Sequence, residues 1–478
     1  MARPRQGARI NAASSRHRFL ECMVTSERSP PLTSIDDLLS KADSRCVIAS
    51  GIPRDGDMAT AVSPMKHPET ATKSRTGVCI VGGGPAGMLL GLLLAKRGAE
   101  VIVLEGHETF DREFRGEVLQ PSTARLLDQI GLLPYILEQQ HLTLTEGRLL
   151  FAGKPAAGFS FKRIAPDYPY AIWMPQPIFL DALARKASAY AGFHCWMGAH
   201  VSELIEEGGA VVGIRGLRHG KEPFEVRADV VVGADGRHSV TRRLGKFATE
   251  YEHHDFDVIW FVVDPPPDWS KTIYFSLGGT PLLLLPKYPN HVQAGVLLRV
   301  DEWRSWRKAG VAAVADRLRR LSPLFAQFTS ALHDFTPFFP LPAVILLVRD
   351  WARDGLLLIG DAVHTMSPEG AIGVNVALAT AAIAAQEIYP RLGRGPIPGS
   401  ALARVQKLRE PDVRTLHRLQ RSAGKALLGS GSRSPVLRWL VPQALTLAVR
   451  SGLFPAVQRR LFFGAPLPPL DPAFSFRN

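Results

Sequence analysis

The sequence predicts an α/β protein with a parallel-sheet domain, a second domain built on an antiparallel sheet, and helices at the C-terminus. Three observations predict it. A glycine-rich turn follows an apolar run at residues 78–81, and two further apolar runs, at 230–233 and 356–359, end in turns that carry an aspartate. Apolar runs within residues 258–298 alternate with proline- and glycine-containing turns, a pattern typical of antiparallel strands.

The first motif combines a strand, a glycine-rich turn and a helix. The apolar run before residue 82 predicts a buried strand, and the Leu- and Ala-rich residues 88–97 predict a helix. The glycines between them have G-x-G-x-x-G spacing: the first permits a tight turn, the second lets backbone approach a pyrophosphate, and the third lets the helix pack on the strand. A second apolar run ends in an acid placed to bind ribose hydroxyls. The predicted contacts are Gly82, Gly84, Pro85, Ala86, Gly87 and Glu105.

Two aspartate-containing turns form the second and third motifs. In the second, Asp235 and Gly236 follow a strand, where the glycine permits a sharp turn and the carboxylate can bond neighbouring backbone. Arg242, a few residues later, supplies donors suited to phosphate or carboxylate. In the third, Gly360 and Asp361 follow a strand, and the aspartate could accept hydrogen bonds from the hydroxyls of a bound cofactor.

The segment after the third motif predicts the start of a helix. Pro368 precedes a glycine-containing stretch, and the Ala-rich residues 374–386 have a helical pattern. Backbone N–H groups at a helix start carry partial positive charge, so they would favour negative charge on a bound ring system. Asparagine here is also typical of ordinary helix starts. The predicted contacts are Pro368, Gly370, Gly373, Val374 and Asn375.

These motifs, in this order, resemble those of the single-component (class A) FAD-dependent aromatic hydroxylases, the flavoprotein monooxygenase family typified by p-hydroxybenzoate hydroxylase. The resemblance covers about residues 76–390. It implies a Rossmann-like FAD-binding domain, FAD as cofactor and NAD(P)H as electron donor. It also implies that Arg115 serves both cofactors and that Gln176 contacts FAD. The family commonly has Gly-Gln-Gly-Met/Leu-Asn before its last helix, where this chain has Gly-Ala-Ile-Gly-Val-Asn over residues 370–375, so the loop shape is open.

The resemblance implies a mechanism. NAD(P)H passes hydride to FAD, and reduced FAD takes up O2 to form a C4a-hydroperoxide that transfers one oxygen atom to an aromatic, quinone-like or polyketide-like substrate. Arg115 and Pro368 are the candidates to lie near the flavin, and the residues indicate no catalytic base. No second dinucleotide motif occurs, so NAD(P)H binds without its own Rossmann domain or another protein supplies the electrons.

Two alternatives to a hydroxylase stay open. One is a related flavoenzyme that reduces a prenyl or polyene double bond. A halogenase is a less favoured form of this alternative, because the W-x-W-x-I-P pattern that halogenases carry is absent. The other alternative, from a different class, is a flavin-binding protein with no catalytic role. The intact third motif argues against it.

Composition narrows the class further. A chain of 478 residues with 46% hydrophobic residues and mean hydropathy of +0.03 predicts globular domains with a large core. The four cysteines form no C-x-x-C pair, and no Cys/His cluster has zinc spacing, which predicts reduced thiols, a cytoplasmic location and no metal site. No apolar run approaches the ~18 residues of a membrane-spanning helix.

The net charge of +13 lies mostly at the C-terminal end, where residues 391–478 contain fifteen Lys or Arg and three acids. Two interpretations stay open: a helical cap with a basic outer face, or a surface for peripheral membrane contact. No nucleic-acid-binding motif occurs, and nothing predicts the oligomeric state. The expected partners are a small-molecule substrate and O2.

The motifs also divide the chain into segments. Residues 1–75 are predicted to be a disordered extension, although the Arg-rich, acid-free first twenty residues also have the composition of a mitochondrial leader. The FAD-binding domain is predicted to be discontinuous, and its first segment is residues 76–180. Residues 181–345 are a mixed region that contains the second FAD-binding segment, at about 226–250, and the substrate-domain sheet, at about 255–345. The third FAD-binding segment is 346–390, and residues 391–478 form a basic helical region.

Overall fold

The computed structural model describes residues 72–111, 118–151, 154–265, 267, 269, 272–429 and 467–477, with a few single residues between 440 and 460. Arg115, almost all of the predicted N-terminal extension and most of the chain from 430 to 466 lie outside these described residues. Cys79 and Cys195 are free thiols. In the described part of the chain, no helix combines the length and apolar character needed to cross a membrane.

The strands of the described residues form three sheets. In chain order they are β1 (Thr72–Val81), β2 (Val101–Glu105), β3 (Val118–Leu119), β4 (Leu142–Leu144), β5 (Glu146–Phe151), β6 (Lys154–Ser160), β7 (Ala171–Trp173), β8 (Phe193–Met197), β9 (Ala199–Glu207), β10 (Ala210–Arg218), β11 (Glu222–Gly233), β12 (Thr249–Val263), β13 (Ile273–Leu277), β14 (Leu282–Lys287), β15 (His291–Arg299), β16 (Phe339–Val348), β17 (Ala352–Arg353), β18 (Leu356–Leu358) and β19 (His364–Thr365).

The helices lie between and after these strands. In chain order they are α1 (Pro85–Lys96), α2 (Pro121–Gln129), α3 (Leu133–Leu137), α4 (Phe161–Ile164), α5 (Gln176–Ala187), α6 (Val240–Leu244), α7 (Glu302–Lys308), α8 (Val311–Leu321), α9 (Ala326–Ser330), α10 (Gly373–Ile388) and α11 (Gly399–Gly429). Short 3-10 turns at Gly360–Ala362 and Glu369–Ala371 separate β18 from α10.

The first sheet contains the predicted parallel strands, in the order β17-β18-β11-β1-β2-β8. From β18 to β8 each neighbour runs parallel, while β10 and β9 extend β11 as an antiparallel meander. Both faces of the sheet are covered: in β1, Val78 and Ile80 belong to one core cluster, and Cys79 and Val81 to another. Strands buried on both faces read as continuous apolar runs, which is why the sequence signal was clear.

Helix α1 is buried on nearly every side, with Ala86 through Ala95 all buried. It packs on α5 and α10 as well as on the first sheet. Such a helix is Leu- and Ala-rich all round because it has no solvent-facing side. Pro85 occupies its first position, where the missing N–H has no intrahelical partner to lose. The glycine-rich turn at its N-terminus is therefore held by packing on several elements.

The second sheet, in the order β19-β16-β12-β15-β14-β13-β5-β6, confirms the antiparallel sheet predicted after residue 255. β15 lies between β12 and β14, antiparallel to both. Phe261, on β12, packs against Phe325 and Phe338 with ring centroids 5.1 and 5.3 Å apart. Core packing thus accounts for this aromatic side chain.

Two segment boundaries differ from the sequence prediction. Residues 146–160, which the motif spacing places in the FAD-binding domain, form β5 and β6 of the second sheet, because β5 pairs in parallel with β13. β1 begins at Thr72, before the predicted boundary, since it pairs with Phe224 at the start of β11. A short hairpin carries little information about which sheet it will join, because that depends on tertiary pairing.

A small third sheet consists of β3, β7 and β4, with β7 antiparallel to both neighbours. Its two faces contribute to different regions of the core. Val118 and Trp173 belong to one cluster, and Leu119 and Ile172 to the large cluster around α1. This sheet therefore connects the first sheet's layer to the second sheet.

Helix α11 caps the first sheet's layer. Leu402, Val405 and Val413 are buried, whereas the Arg404 and Arg414 side chains are 61% and 48% exposed. For residues 399–422 this is the arrangement that the helical-cap interpretation predicts. The membrane interpretation falls mostly on residues outside the described range and stays a prediction.

Gly355, in the turn between β17 and β18, is a position at which the first sheet requires glycine. Its φ is +72°, and a Cβ atom would lie 1.9 Å from the Val211 carbonyl oxygen. We expect Gly355→Ala to lower the free energy of unfolding by at least about 3 kcal/mol, because left-handed alanine costs about 1–2 kcal/mol and the backbone must also shift. Thermal or urea unfolding measures the loss.

Gly395→Ala is the matched control. Gly395 has a φ of +84° but, among the described residues, no heavy atom within 4 Å of its added Cβ. This variant should lose only the about 1–2 kcal/mol of a left-handed backbone. Equal losses in the two variants would contradict close packing of the β17–β18 turn on β10.

Candidate active site

The three predicted turns lie on one edge of the first sheet, because β1, β11 and β18 are adjacent, parallel and end together. The Ala234 N–H donates to the Val81 carbonyl over 2.7 Å, and the Ile359 N–H donates to the Gly233 carbonyl over 2.9 Å. The Gly82 N–H likewise donates to the Leu104 carbonyl over 2.7 Å. The ends of four strands are thus tied in sequence at the edge where α/β proteins bind ligands.

Two glycines of the first motif are required by close backbone approach. Gly82 has a φ of +105°, and a Cβ there would lie 2.4 Å from the Ala234 carbonyl oxygen. A Cβ at Gly87 would lie 2.0 Å from the Gly82 carbonyl oxygen. The first glycine therefore lets the turn pass over the end of β11, and the last lets α1 pack on the turn.

Gly84 is different, because the space around it is open. Among the described residues, no heavy atom lies within 4 Å of an added Cβ. Gly84 is also the N-cap of α1, and within the described part of the chain no side chain caps the helix there. Backbone N–H groups at a helix start favour an anionic phosphate. An open, uncapped helix start at a glycine fits the pyrophosphate of FAD.

Glu105, at the end of β2, faces the same turn. Its carboxylate is buried and accepts hydrogen bonds from the Gly83 N–H over 2.8 Å and the His107 N–H over 3.0 Å. The His107 imidazole Nδ1 lies 2.7 Å from the same carboxylate. The acid is therefore fixed beside the turn that contains Gly82, Gly84 and Gly87, called the glycine cradle below. The sequence predicts a ribose contact at this acid.

Asp235 organises its own loop. Its carboxylate accepts hydrogen bonds from the Ser239 hydroxyl and from the Thr241 N–H and hydroxyl, the last two over 2.9 and 3.0 Å. These bonds hold the start of α6 against the end of β11. Gly236 follows with a φ of +81° and, in the described part of the chain, open space around it. The side chain shapes the turn and the glycine leaves it accessible.

Arg242 connects the second motif to the third. Its side chain is buried, and its guanidinium donates to the Ala362 carbonyl and to the Arg237 carbonyl, both over 2.8 Å. Ala362 follows Asp361 directly, so this side chain holds the two aspartate turns together. Planar guanidinium donors suit two acceptors in fixed directions.

The third turn packs directly on the first. Gly360 has a φ of +59°, and an added Cβ would lie 3.2 Å from the Ala86 side chain on α1. Asp361 is half-buried beside it. Pro368 lies half-buried before the 3-10 turn at Glu369–Ala371. The first and third motifs are therefore in contact through their helix and turn.

Asn375, in the first turn of α10, ties that helix to α2. Its side-chain oxygen accepts from the Gln120 N–H over 2.7 Å and the Thr123 hydroxyl over 2.6 Å. Its NH2 group donates to the Ala371 and Val118 carbonyls over 2.9 and 3.3 Å. All four hydrogen-bonding positions of the amide are used within the chain. Asn375 thus positions the loop that would face the flavin.

The loop before α10 is the segment in which the glycine spacing of this chain differs from the family pattern. Gly370 has a φ of +78°, and the next residue, Ala371, has a φ of +49°. The left-handed region disfavours alanine, so the loop keeps its turn at a cost in strain. Gly373 and Val374 begin α10, and no side chain of the described residues caps this helix start either. Its N–H groups suit a ring carbonyl that carries negative charge.

The structure does not test the predicted cofactor contacts of Gln176 and Arg115. Gln176 is the buried first residue of α5, three residues after Trp173 of the small sheet. Arg115 lies outside the described residues, immediately before β3. The structure brings the three turns together, and the roles of these two residues stay predictions.

Helix α11 is hydrogen-bonded to the segment that leads into Pro368. Gln420 is bonded twice to Ser367, accepting from its N–H over 3.2 Å and donating to its carbonyl over 2.7 Å. His417 Nε2 lies 3.0 Å from the Thr365 carbonyl. Sequence reasoning missed these residues and Thr123 on α2, because a polar residue on an amphipathic helix carries no sign of which face is buried. Gln120, which precedes α2, was missed because a single polar residue in a connection gives no periodic signal.

Two buried histidines accompany this contact. Burial, together with the positive charge of Arg409, lowers the pKa of His364 to about 3. Burial also lowers the pKa of His417 to about 4, although its hydrogen bond to Thr365 opposes the shift. Both imidazoles are therefore neutral at neutral pH in the folded protein.

A glycine cradle at one helix start, an acid at the end of the neighbouring strand and a second uncapped helix start on the same edge together define a dinucleotide-binding flavoprotein. The backbone would supply the donors to the phosphates and to the flavin, while the side chains hold the loops. Residues 75–390 match the FAD binding domain family, and the chain belongs to that family.

Several relatives are named as monooxygenases. The chain is 35% identical over 401 residues to 6-methylpretetramide 4-monooxygenase of Streptomyces rimosus, covering 83% of this chain and 95% of that protein. Two solved structures share the fold. For p-nitrophenol 4-monooxygenase PnpA from Pseudomonas putida DLL-E4 the TM-score is 0.65 at 18% identity, over 83% of this chain and 100% of that one. For PqsL, a probable FAD-dependent monooxygenase from Pseudomonas aeruginosa, the TM-score is 0.64 at 20% sequence identity. That match covers 78% of this chain and 100% of PqsL. The protein is an FAD-binding oxidoreductase of the monooxygenase class.

Gly84→Val tests the cradle. The side chain would enter space that is open among the described residues, so we expect the free energy of unfolding of the apoprotein to change by about 1 kcal/mol or less. FAD affinity should fall at least about tenfold, because the side chain occupies the place where backbone approaches a pyrophosphate. Thermal unfolding and FAD fluorescence titration measure the two effects.

Gly279→Val is the control for Gly84→Val. Gly279 also has open space around its added Cβ and no positive φ, but it lies in a turn of the second sheet. FAD affinity should be unchanged in this variant. Wild-type FAD affinity in Gly84→Val would be incompatible with pyrophosphate binding at α1.

The buried histidines predict a pH dependence of stability. An unfolded histidine has a pKa of about 6.5, above the folded values of about 3 and 4. Below about pH 6.5 the unfolded state therefore binds more protons than the folded state, and stability falls as the pH falls towards 4. His417→Gln should reduce the slope of melting temperature against pH in this window. The exposed His194→Gln serves as control, and parallel profiles for wild type and His417→Gln would rule the explanation out.

Proposed function

We propose that the protein is an FAD-dependent monooxygenase that uses NAD(P)H and O2 to hydroxylate an aromatic, quinone-like or polyketide-like small molecule. The observation that carries this proposal is the 35% identity, over 95% of its length, to an enzyme named as a 4-monooxygenase of 6-methylpretetramide. The converged strand ends support it, because they supply the cradle such an enzyme needs. We also propose a cytoplasmic location.

The residues of this chain bind and orient the cofactor. The α1 start would hold the pyrophosphate, Glu105 the ribose, and the turns at Asp235 and Asp361 the remaining sugar-like chain. The α10 start would place its N–H groups at the carbonyl edge of the flavin. When bound, FAD would supply the redox chemistry that links the electron donor to O2.

The loop from Pro368 to Gly373 has the most constrained task. It must hold the helix start in register with the ring, because preorganised donors stabilise developing charge better than donors that must reorient. Asn375 fixes the loop from one side and Gln420 from the other. Apolar strands of the second sheet would exclude water from the reacting face.

Substrate-dependent NAD(P)H oxidation by the purified holoenzyme in air tests the proposal. A panel of phenols, quinones and polyketide-like ring systems is screened with NADH and NADPH, and products of active compounds are analysed by mass in 18O2. We expect one labelled oxygen atom in the product.

Other outcomes would contradict this function and identify an alternative. A product with two added hydrogens and no oxygen indicates a double-bond reductase. A halide-dependent product indicates a halogenase. Bound FAD without turnover of any compound, with either electron donor, indicates a non-catalytic flavin protein.

A further inference from the structure

Two buried polar atoms on the small third sheet have no hydrogen-bond partner among the described residues: Trp173 Nε1 and Gln120 Oε1. The two side chains are 1% and 4% exposed. Buried polar atoms in folded proteins are almost always paired, so each exception calls for an explanation. One of these atoms is a donor and the other is an acceptor.

The two side chains lie on the same face of the sheet. Trp173 on β7 pairs with Val118 on β3, and directly paired residues point to the same face. Gln120 follows with extended backbone, φ −71° and ψ 164°, so alternation returns its side chain to the face of Val118. Core membership agrees: Val118 and Trp173 share one cluster, while the intervening Leu119 belongs to another.

This face lies at the junction between the flavin-facing loop and the second sheet. Gln120 Nε2 donates to the Gly370 carbonyl over 2.8 Å. Ala371, the next residue of that loop, packs against the Trp173 cluster, as do the half-buried Ile273 and Tyr288 of the second sheet. The unpaired donor and acceptor therefore lie beside the loop that would meet the flavin, next to half-buried side chains of the second-sheet region.

Neighbouring groups set the polarity of the two positions. The bond from Gln120 to Gly370 fixes the amide, because the flipped amide would place oxygen against a carbonyl oxygen. Gln120 therefore presents an acceptor. Lys287 Nζ lies 5.0 Å from the centre of the Trp173 ring. Its positive charge favours an electron-rich or ionised oxygen near the indole N–H.

Building on the proposed function, we propose that Trp173 and Gln120 form the polar end of the substrate site. Trp173 Nε1 donates to one oxygen of a fused-ring phenol, and Gln120 Oε1 accepts from a second hydroxyl on the same edge of the ring system. A phenol of this class satisfies both buried atoms at once. A ligand with a single oxygen satisfies only one of them.

The competing ligand is the flavin, whose ring edge also carries donors and acceptors. Binding of substrate and binding of FAD are therefore measured separately. The probes are 2,3-dihydroxynaphthalene, which has two hydroxyls on one edge, and 2-naphthol, which has one. Equilibrium dialysis against the oxidised holoenzyme, without NAD(P)H, gives the dissociation constant of each probe independently of turnover.

The variants are Trp173→Phe and Gln120→Met. Trp173→Phe should raise the dissociation constants of both probes by about five- to tenfold, which is the effect of one lost hydrogen bond in a buried site. It should also leave the ligand-free holoenzyme as stable as wild type or more stable, because an unsatisfied N–H is removed. Gln120→Met should weaken 2,3-dihydroxynaphthalene by about five- to tenfold relative to 2-naphthol. The ratio of the dissociation constants of the two probes corrects for any movement of the Gly370 loop, because such movement would affect both probes.

Trp196→Phe is the matched control, because this indole also lies beneath a cation, Arg218, at 5.7 Å, but on the first sheet. It should leave both dissociation constants unchanged. The inference is overturned by wild-type probe binding in Trp173→Phe, by an unchanged probe ratio in Gln120→Met, or by a loss confined to FAD affinity. Failure of wild type to bind either probe overturns the ligand class. Absence of 18O in products, with the binding pattern intact, would instead overturn the proposed function alone.

Discussion

The parallel pairing of β1, β11 and β18 is the constraint on which the rest of the structure depends. Two backbone hydrogen bonds, from Ala234 to Val81 and from Ile359 to Gly233, align the ends of strands that are far apart in the chain. Because the strands end together, the three turns that follow them lie on one sheet edge. Helices α1 and α10 then begin at this edge, and their free N-terminal donors face a common region.

The site divides its tasks between backbone and side chains. Gly84 and the start of α10 offer uncapped backbone donors. The polar side chains of the motifs mainly hold the loops: Asp235 holds the first turn of α6, Arg242 joins the two aspartate turns, and Asn375 ties α10 to α2. A cofactor bound at this edge would therefore be recognised mainly through main-chain groups. The substrate contacts must come from elsewhere, which is why the small third sheet matters.

The sequence predicted the regions of the fold in which local pattern and tertiary role coincide. Buried parallel strands read as continuous apolar runs, and the glycines at 82, 84 and 87 have spacing that only a tight strand–turn–helix requires. The prediction included residues 146–160 in the first FAD-binding segment and named no sheet for them, because their pairing with β13 of the second sheet depends on tertiary contacts. Gln120, Trp173 and Gln420 were missed for a similar reason: the importance of each depends on what it contacts or fails to contact, and a single polar or aromatic residue gives no periodic signal.

Hydrogen–deuterium exchange of the apoprotein with and without FAD tests the central claim most directly, since it reports on each turn separately. If one FAD molecule is bound by all three turns, amides in residues 83–88, 236–242 and 360–375 should all gain protection at the same FAD concentration, while the β13–β14 turn stays unchanged. Protection confined to the first turn, or appearing in the three segments at different FAD concentrations, would contradict a single shared site.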